Sequence, residues 1–138
     1  MGMFLVASFI GVVIGAVLQY FFAQRAEQRR TVQLRRTEAY VDLIKAISLL
    51  SKLGGDNPGE ATRQAAALLA EARARIAIYG SGPVNARLAE FLLTPGDFGS
   101  GAAGEALVNV VKAMRVDGLG EGHGLPDQDL RTVIFGRN

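Results

Sequence analysis

The chain contains no cysteine and no tryptophan, and it has one histidine and four prolines among its 138 residues. The absence of cysteine excludes a disulfide framework and thiolate metal sites. A single histidine, His123, excludes a multi-histidine metal site within one chain. One long segment lacks charged residues altogether, since no residue from Met3 to Phe22 is charged. The chemistry that the sequence can support is therefore narrow, and the uncharged run is its most informative feature.

The uncharged run has the length and composition of a membrane-spanning helix. A helix from Met3 to Phe22 would measure roughly 30 Å, the thickness of the hydrocarbon core of a bilayer. Twelve of its residues are Leu, Ile, Val or Phe, and together they favour insertion by roughly 4–7 kcal/mol. A cleaved signal peptide fits poorly, because no basic residue precedes the run and no clear A-x-A site follows it. The sequence predicts a transmembrane anchor over residues 1–23.

A cluster of arginines follows the run, and we call residues 25–36 the basic collar. It holds five arginines and one glutamate, so the remaining ten basic and twelve acidic residues leave the rest of the chain at −2. The positive-inside rule then places the amino terminus outside and the rest of the chain in the cytoplasm. Nucleic-acid binding is not expected, because no aromatic residues are interleaved. We expect anionic lipid headgroups to be contacted by the collar arginines: Arg25, Arg29, Arg30, Arg35 and Arg36.

Small residues recur along one face of the predicted anchor. Gly11 and Gly15 form a G-x-x-x-G motif, which Ala7 extends upstream and Gln19 downstream. Residues four apart share a helical face, small residues let a second backbone approach, and a glutamine amide can bond across the contact. The pattern predicts association with another copy or with another membrane subunit. Glycine is also common in membrane helices, so frequency alone remains an alternative explanation.

Glycine and proline divide the rest of the chain into predicted helices. No helix-breaking residue separates Phe22 from Leu53, so residues 24–53 are predicted to form a basic juxtamembrane helix that enters a small bundle. Residues 54–138 are predicted to form the cytoplasmic helical domain, with helices over about 58–79, up to 93, 102–116 and 126–135. For the last of these helices, a strand over residues 131–135 is a lesser alternative, because some residues of that segment are β-branched. The predicted fold class is all-α, a helical bundle.

Apolar residues at helical spacing define the predicted interior. Small alanine side chains in the second helix permit close packing. The inward positions are predicted to be Tyr40, Leu43, Ile44, Ile47, Leu50, Ala61, Ala65, Leu68, Leu69, Ala72, Ile76, Val84, Leu88, Phe91, Leu92, Ala103, Leu107, Val110, Val111, Met114, Leu130, Val133 and Ile134.

Three glycine-rich segments contain residues that could form a chemical site. Residues 99–104 spell G-x-G-x-x-G, but a predicted helix rather than a strand precedes them, so a loop leading into a helix is favoured over a phosphate cradle. Glu121 and His123 lack a nucleophile and a pocket, which favours a solvated loop over an acid–base pair. Residues 80–82 lack the spacing of a nucleophile elbow, and Tyr79 is expected to anchor that turn. Asp127 and Asp129 suit a helix N-terminus better than a metal.

Two segments of the body resemble uncharacterised bacterial single-pass membrane proteins with a helical cytoplasmic domain. The first is Ala74-Arg75-Ile76-Ala77-Ile78-Tyr79-Gly80-Ser81, followed by Val84 and Phe91. The second comprises Ala113-Met114-Arg115-Val116-Asp117 and the later Asp129-Leu130-Arg131. The shared residues are mostly packing residues. The resemblance implies a protein of the bacterial inner membrane and no known active site.

These features favour a membrane-anchored scaffold or adaptor that presents its helical domain to a protein partner within a membrane complex. The alternative is a pore-forming or transport-accessory subunit assembled around Gln19, whose single polar side chain is thin support for a water-filled path. An enzyme is not expected, and neither a catalytic residue, a cofactor, a metal nor a small-molecule substrate is predicted.

Overall fold

A computed structural model describes the backbone of residues 2–53, 59–99 and 101–136, and the side chains of residues 14–53, 59–99 and 101–136. Over these ranges the regular structure consists of five α-helices and no strand. The helices are α1 (Gly2–Lys52), α2 (Glu60–Tyr79), α3 (Gly82–Leu93), α4 (Gly101–Leu119) and α5 (Asp127–Phe135). The all-α prediction is confirmed, and the last segment is a helix rather than the alternative strand.

Helix boundaries fall at the residues that interrupt a helix. Pro83 lies in the first turn of α3, where the missing N–H costs nothing. Gly101, at the first position of α4, has a φ of 60°, a left-handed conformation that glycine adopts without strain. Gly136 ends α5 with a φ of 79°. The predicted bounds therefore differ from the observed ones by no more than about three residues.

The chain divides into two compact units, Met1–Leu34 and Arg35–Asn138. The first unit consists of the amino-terminal part of α1. Its large apolar side chains at positions 14–22 are exposed, whereas the side chains of residues 1–13 lie outside the described residues. Across the residues that the structure describes, no helix holds an apolar stretch of the length and hydropathy that a membrane crossing requires.

The second unit has one hydrophobic core. It is built from the buried faces of α2, α3, α4 and α5 and of the part of α1 that belongs to this unit. Its centre consists of Leu43, Ile76, Val84, Leu107 and Val110, which are less than 2% exposed. Phe91 packs its ring against that of Phe98 at a centroid distance of 5.5 Å. No charged or polar residue among those described is fully buried, so apolar packing dominates the stability of this unit.

Most of the predicted inward positions are buried or half-buried, but three are not. Ala61 and Leu92 are exposed, and Val133 is 77% exposed. Each lies near the end of its helix or on the flank of the apolar stripe, where no neighbouring element covers it. Helical spacing identifies a stripe but does not indicate how far along the stripe a partner extends.

Candidate functional site

The amino-terminal part of α1 exposes apolar side chains on all sides just before its arginines. Ile14, Val17, Leu18, Tyr20, Phe21 and Phe22 are each 49–68% exposed. The Tyr20 and Phe21 rings meet edge to face, with their centroids 6.3 Å apart. Tyrosine at the end of an apolar helix is typical of the membrane–water interface.

The predicted association face is only partly within the described side chains. Gly15 has open space where a Cβ would lie, with no atom within 4 Å, and Gln19 is exposed. Ala7 and Gly11 are helical, but their side-chain environments lie outside the described residues. The face therefore stays a prediction, with room at Gly15 for the close approach that it requires.

The basic collar presents arginines without ion-pair partners. Arg25, Arg29, Arg30 and Arg35 are exposed, and none of them lies within 4 Å of a carboxylate of any described residue. Glu27 uses its backbone carbonyl to accept a hydrogen bond from the Thr31 hydroxyl at 3.0 Å, but its carboxylate neutralises no collar arginine. These four arginines thus carry positive charges that no carboxylate of a described residue balances at ion-pair distance.

Arg36 differs from the other collar arginines because its guanidinium is engaged within the second unit. Its Nε donates to the Tyr79 carbonyl at 2.7 Å, and a terminal nitrogen donates to Asp117 Oδ1 at 3.1 Å. Its side chain is 23% exposed. Headgroup contact was predicted for Arg36 as well, yet two of its donor groups are used by the protein.

Tyr40 completes this polar network one turn further along α1. Its hydroxyl donates to Asp117 Oδ2 at 2.7 Å and accepts from the Ser81 N–H at 3.4 Å. Burial, followed by the hydrogen bond to Asp117, raises the pKa of Tyr40 to about 12, because both disfavour the phenolate. Arg36, Tyr40 and Asp117 therefore connect α1 to the end of α4 and to the turn between α2 and α3.

The turn between α2 and α3 is closed by Asn85 and by a close backbone contact at Gly80. The Asn85 amide lies 3.2 Å from the carbonyls of Ile76, Gly80 and Ser81, so it caps the carboxyl end of α2. A Cβ at Gly80 would lie 2.5 Å from the Ile76 oxygen. Space at this position therefore requires glycine. The preceding residue, Tyr79, contributes its backbone carbonyl, which accepts a hydrogen bond from Arg36.

Sequence reasoning did not identify this network. Arg36 and Asp117 are separated by 81 positions, and a charged residue on a helix is usually solvated. The available signal was that Arg36 and Tyr40 continue the stripe of Leu43 and Ile47 toward the amino terminus. Such a position on a buried stripe indicates an arginine that is paired inside the protein.

The glycine-rich segments have structural explanations. Gly104 is buried, and a Cβ there would lie 3.3 Å from the Gly99 carbonyl carbon, so the G-x-G-x-x-G spacing permits a loop to pack on α4. The His123 carbonyl accepts a hydrogen bond from Arg115 at 2.9 Å. Lys112 pairs with Asp127 at 2.8 Å, which fixes the start of α5.

An open groove of about 940 Å³ runs along the second unit beside the carboxyl end of α1. Its lining includes apolar side chains, among them Ile47, Phe98 and Phe135, as well as the charged residues Lys52 and Asp97. Among the described residues, no group of three or more His, Asp or Glu side chains is placed to hold a metal ion.

Comparison of the chain with protein-family models, with curated proteins and with solved structures yields no match.

Proposed function

We propose that the chain is a single-pass protein of the bacterial inner membrane. In this proposal residues 1–23 anchor it, and the helical unit Arg35–Asn138 is a cytoplasmic scaffold that binds a protein partner. One observation carries the proposal: the large apolar side chains of positions 14–22 are exposed and are followed at once by arginines without partners. A bilayer satisfies both features, since it covers apolar surface and offers anionic headgroups beside it.

The energetics of exposure support a lipid environment for this segment. Burial of a Phe, Leu, Ile or Val side chain is worth about 1.5–3 kcal/mol, and positions 14–22 expose several at once. In water, an isolated helix without tertiary packing is marginal. In lipid, the same helix satisfies all its backbone groups internally. In the sequence, the uncharged run that contains these positions begins at Met3.

The described polar groups of the second unit support a scaffold rather than an enzyme. Arg36, Tyr40, Asp117 and Asn85 bond to one another or to backbone carbonyls and amides, which fixes the helices. The polar side chains of this network are therefore committed to structure. Much of the remaining exposed surface is helical, and a helix surface is one that a partner protein could recognise.

Topology is testable with single cysteines because the chain has none of its own. Gly2→Cys places a thiol at the amino terminus, and Ala77→Cys places one at an exposed position on α2. A membrane-impermeant maleimide should label the first variant in spheroplasts and the second only after the membrane is permeabilised. Recovery of the chain in the soluble fraction, or labelling of Ala77→Cys in sealed spheroplasts, would contradict the proposal.

A further inference from the structure

Three arginines of the basic collar differ from most of the basic residues described in the second unit, which are paired with carboxylates. Within the second unit, seven basic residues lie within 4 Å of a carboxylate. They are Arg36, Lys45, Arg63, Arg75, Arg87, Lys112 and Arg131. Arg25, Arg29 and Arg30 have no such partner among the described residues. Three guanidinium groups on two successive turns, which no described carboxylate balances, make this face of α1 attractive to an anion from outside the chain.

These three arginines surround a groove along one face of α1. The groove is lined by Phe22, Arg25, Ala26, Arg29, Arg30 and Gln33 and has a volume of about 650 Å³. At 100° per residue, Phe22, Ala26 and Gln33 fall within about 40° of one another, with Arg25 and Arg29 on one side and Arg30 on the other. The groove is apolar at its amino-terminal end, where Phe22 is 68% exposed.

The combination of an apolar end and an arginine-lined end matches the chemistry of a phospholipid. Guanidinium groups bind phosphate oxygens in a planar, bidentate geometry, while the ring of Phe22 provides a surface for an acyl chain. Arg25 and Arg29 are one turn, about 6 Å, apart along the axis. Three positive charges at this spacing are better balanced by two phosphates than by one.

We infer that this face of α1 is a discrete binding site for an anionic phospholipid whose headgroup carries two phosphates. The site rests on the proposed membrane anchor, since only an anchored helix holds Phe22 at the level of the acyl chains. It goes beyond a general attraction of the collar to negative lipid, because it requires the arginines to be on one face.

Charge-conserving exchanges test whether position matters. Gln24 and Gln28 are exposed neighbours of Arg25 and Arg29 and do not line the groove. A variant with Gln24→Arg, Arg25→Gln, Gln28→Arg and Arg29→Gln keeps the net charge and the depth of each arginine. It moves two guanidinium groups about 100° around the helix, out of the groove. Arg35→Gln is the matched control, because it removes a collar charge that does not line the groove.

Lipid binding is measured on the full chain reconstituted in phosphatidylcholine nanodiscs. The discs contain either diphosphatidylglycerol or twice the molar amount of phosphatidylglycerol, so both carry equal charge. The native chain should enrich diphosphatidylglycerol around itself relative to phosphatidylglycerol. The exchange variant should lose about tenfold or more in apparent affinity for it, and Arg35→Gln should keep most of it. Pyrophosphate and an RNA oligonucleotide are titrated as soluble sources of paired phosphates.

The remaining outcomes overturn the inference in distinguishable ways. Equal binding of the two lipids, or equal losses in the exchange variant and in Arg35→Gln, would leave the anchor in place and remove the discrete site. Tighter binding of the soluble phosphates than of the lipid would also overturn it. Failure of the native chain to enter the discs would remove the site and the proposed anchor together.

Discussion

Individual residues in the second unit are constrained by space and by hydrogen bonding more than by charge. Gly80 shows the first constraint, since its backbone passes too close to Ile76 for a side chain. Tyr40 shows the second, since its hydroxyl both donates and accepts in a site that is 7% exposed. Both residues lie where α1 meets the turn between α2 and α3, so this junction is the part of the fold most sensitive to single substitutions.

Gly80→Ala should destabilise the second unit. The new Cβ would lie 2.5 Å from the Ile76 oxygen and 2.9 Å from Ile76 Cγ2, and the resulting shift of the turn should cost about 1–3 kcal/mol. Gly82→Ala is the matched control, because no atom lies within 4 Å of its Cβ and alanine favours the helix. Thermal unfolding followed by circular dichroism compares them. Equal melting temperatures for the two variants would contradict the account of this turn.

Tyr40 should make the unfolding free energy fall at alkaline pH. Its pKa is about 12 in the folded chain and 10 in the unfolded chain. Because the pKa is raised on folding, Tyr40 contributes up to about 2–3 kcal/mol to the free energy of unfolding. This contribution is fully present below pH 10 and is lost as the pH rises to 12. Denaturant titrations at successive pH values should show this fall in the native chain, and Tyr40→Phe should lack it. Parallel pH profiles for the two proteins would exclude Tyr40 as the group responsible.

At the scale of helices, sequence patterns predicted the positions of the helices better than they predicted the contacts between them. Glycine and proline mark the boundaries of α3 and α4 because they change backbone conformation locally, and local effects are visible in sequence. The inward stripes were also predictable, except on the flank of a stripe, as at Val133, which is exposed although the adjacent Ile134 and Phe135 pack against the core. The pairing of Arg36 with Asp117 was not predictable, because only the folded arrangement brings residues so far apart in sequence together.

The same distinction applies to the candidate site on α1. The number of arginines follows from the sequence, but the groove formed by Phe22, Arg25 and Arg29 depends on which side chains share a face. Helical periodicity alone places Arg36 on the buried stripe and separates it from the other collar arginines. Its charge favoured the opposite interpretation.

The small-residue face of α1 should mediate association between copies. Gly11→Ile together with Gly15→Ile would fill the space that a second backbone needs, so the self-association signal in a membrane reporter assay should fall. Ala16→Ile adds similar bulk but lies about 100° from Gly15, so it should leave the signal unchanged. An unchanged signal in the double variant would remove self-association from the proposed function.

At the scale of the whole molecule, the two units have different solvents in the proposed function. The first unit exposes apolar residues followed by arginines that pair with no described carboxylate, whereas the second has its own core and its own ion pairs. Every buried apolar residue described lies between Ala39 and Leu130. The second unit thus contains a complete hydrophobic core, which is the condition for a domain to fold independently.

A fragment comprising residues 35–138 should therefore fold in water without the first unit. It retains Arg36 and Tyr40 as well as the core, so its cooperative thermal transition should match that of the full chain in neutral detergent. Leu107→Ala, at a position 1% exposed, should lower the stability of both proteins alike by about 2–5 kcal/mol. A fragment that binds a hydrophobic dye and melts without a cooperative transition would show instead that residues 1–34 supply part of the structural framework. The scaffold and its anchor would then have to be treated as a single folding unit.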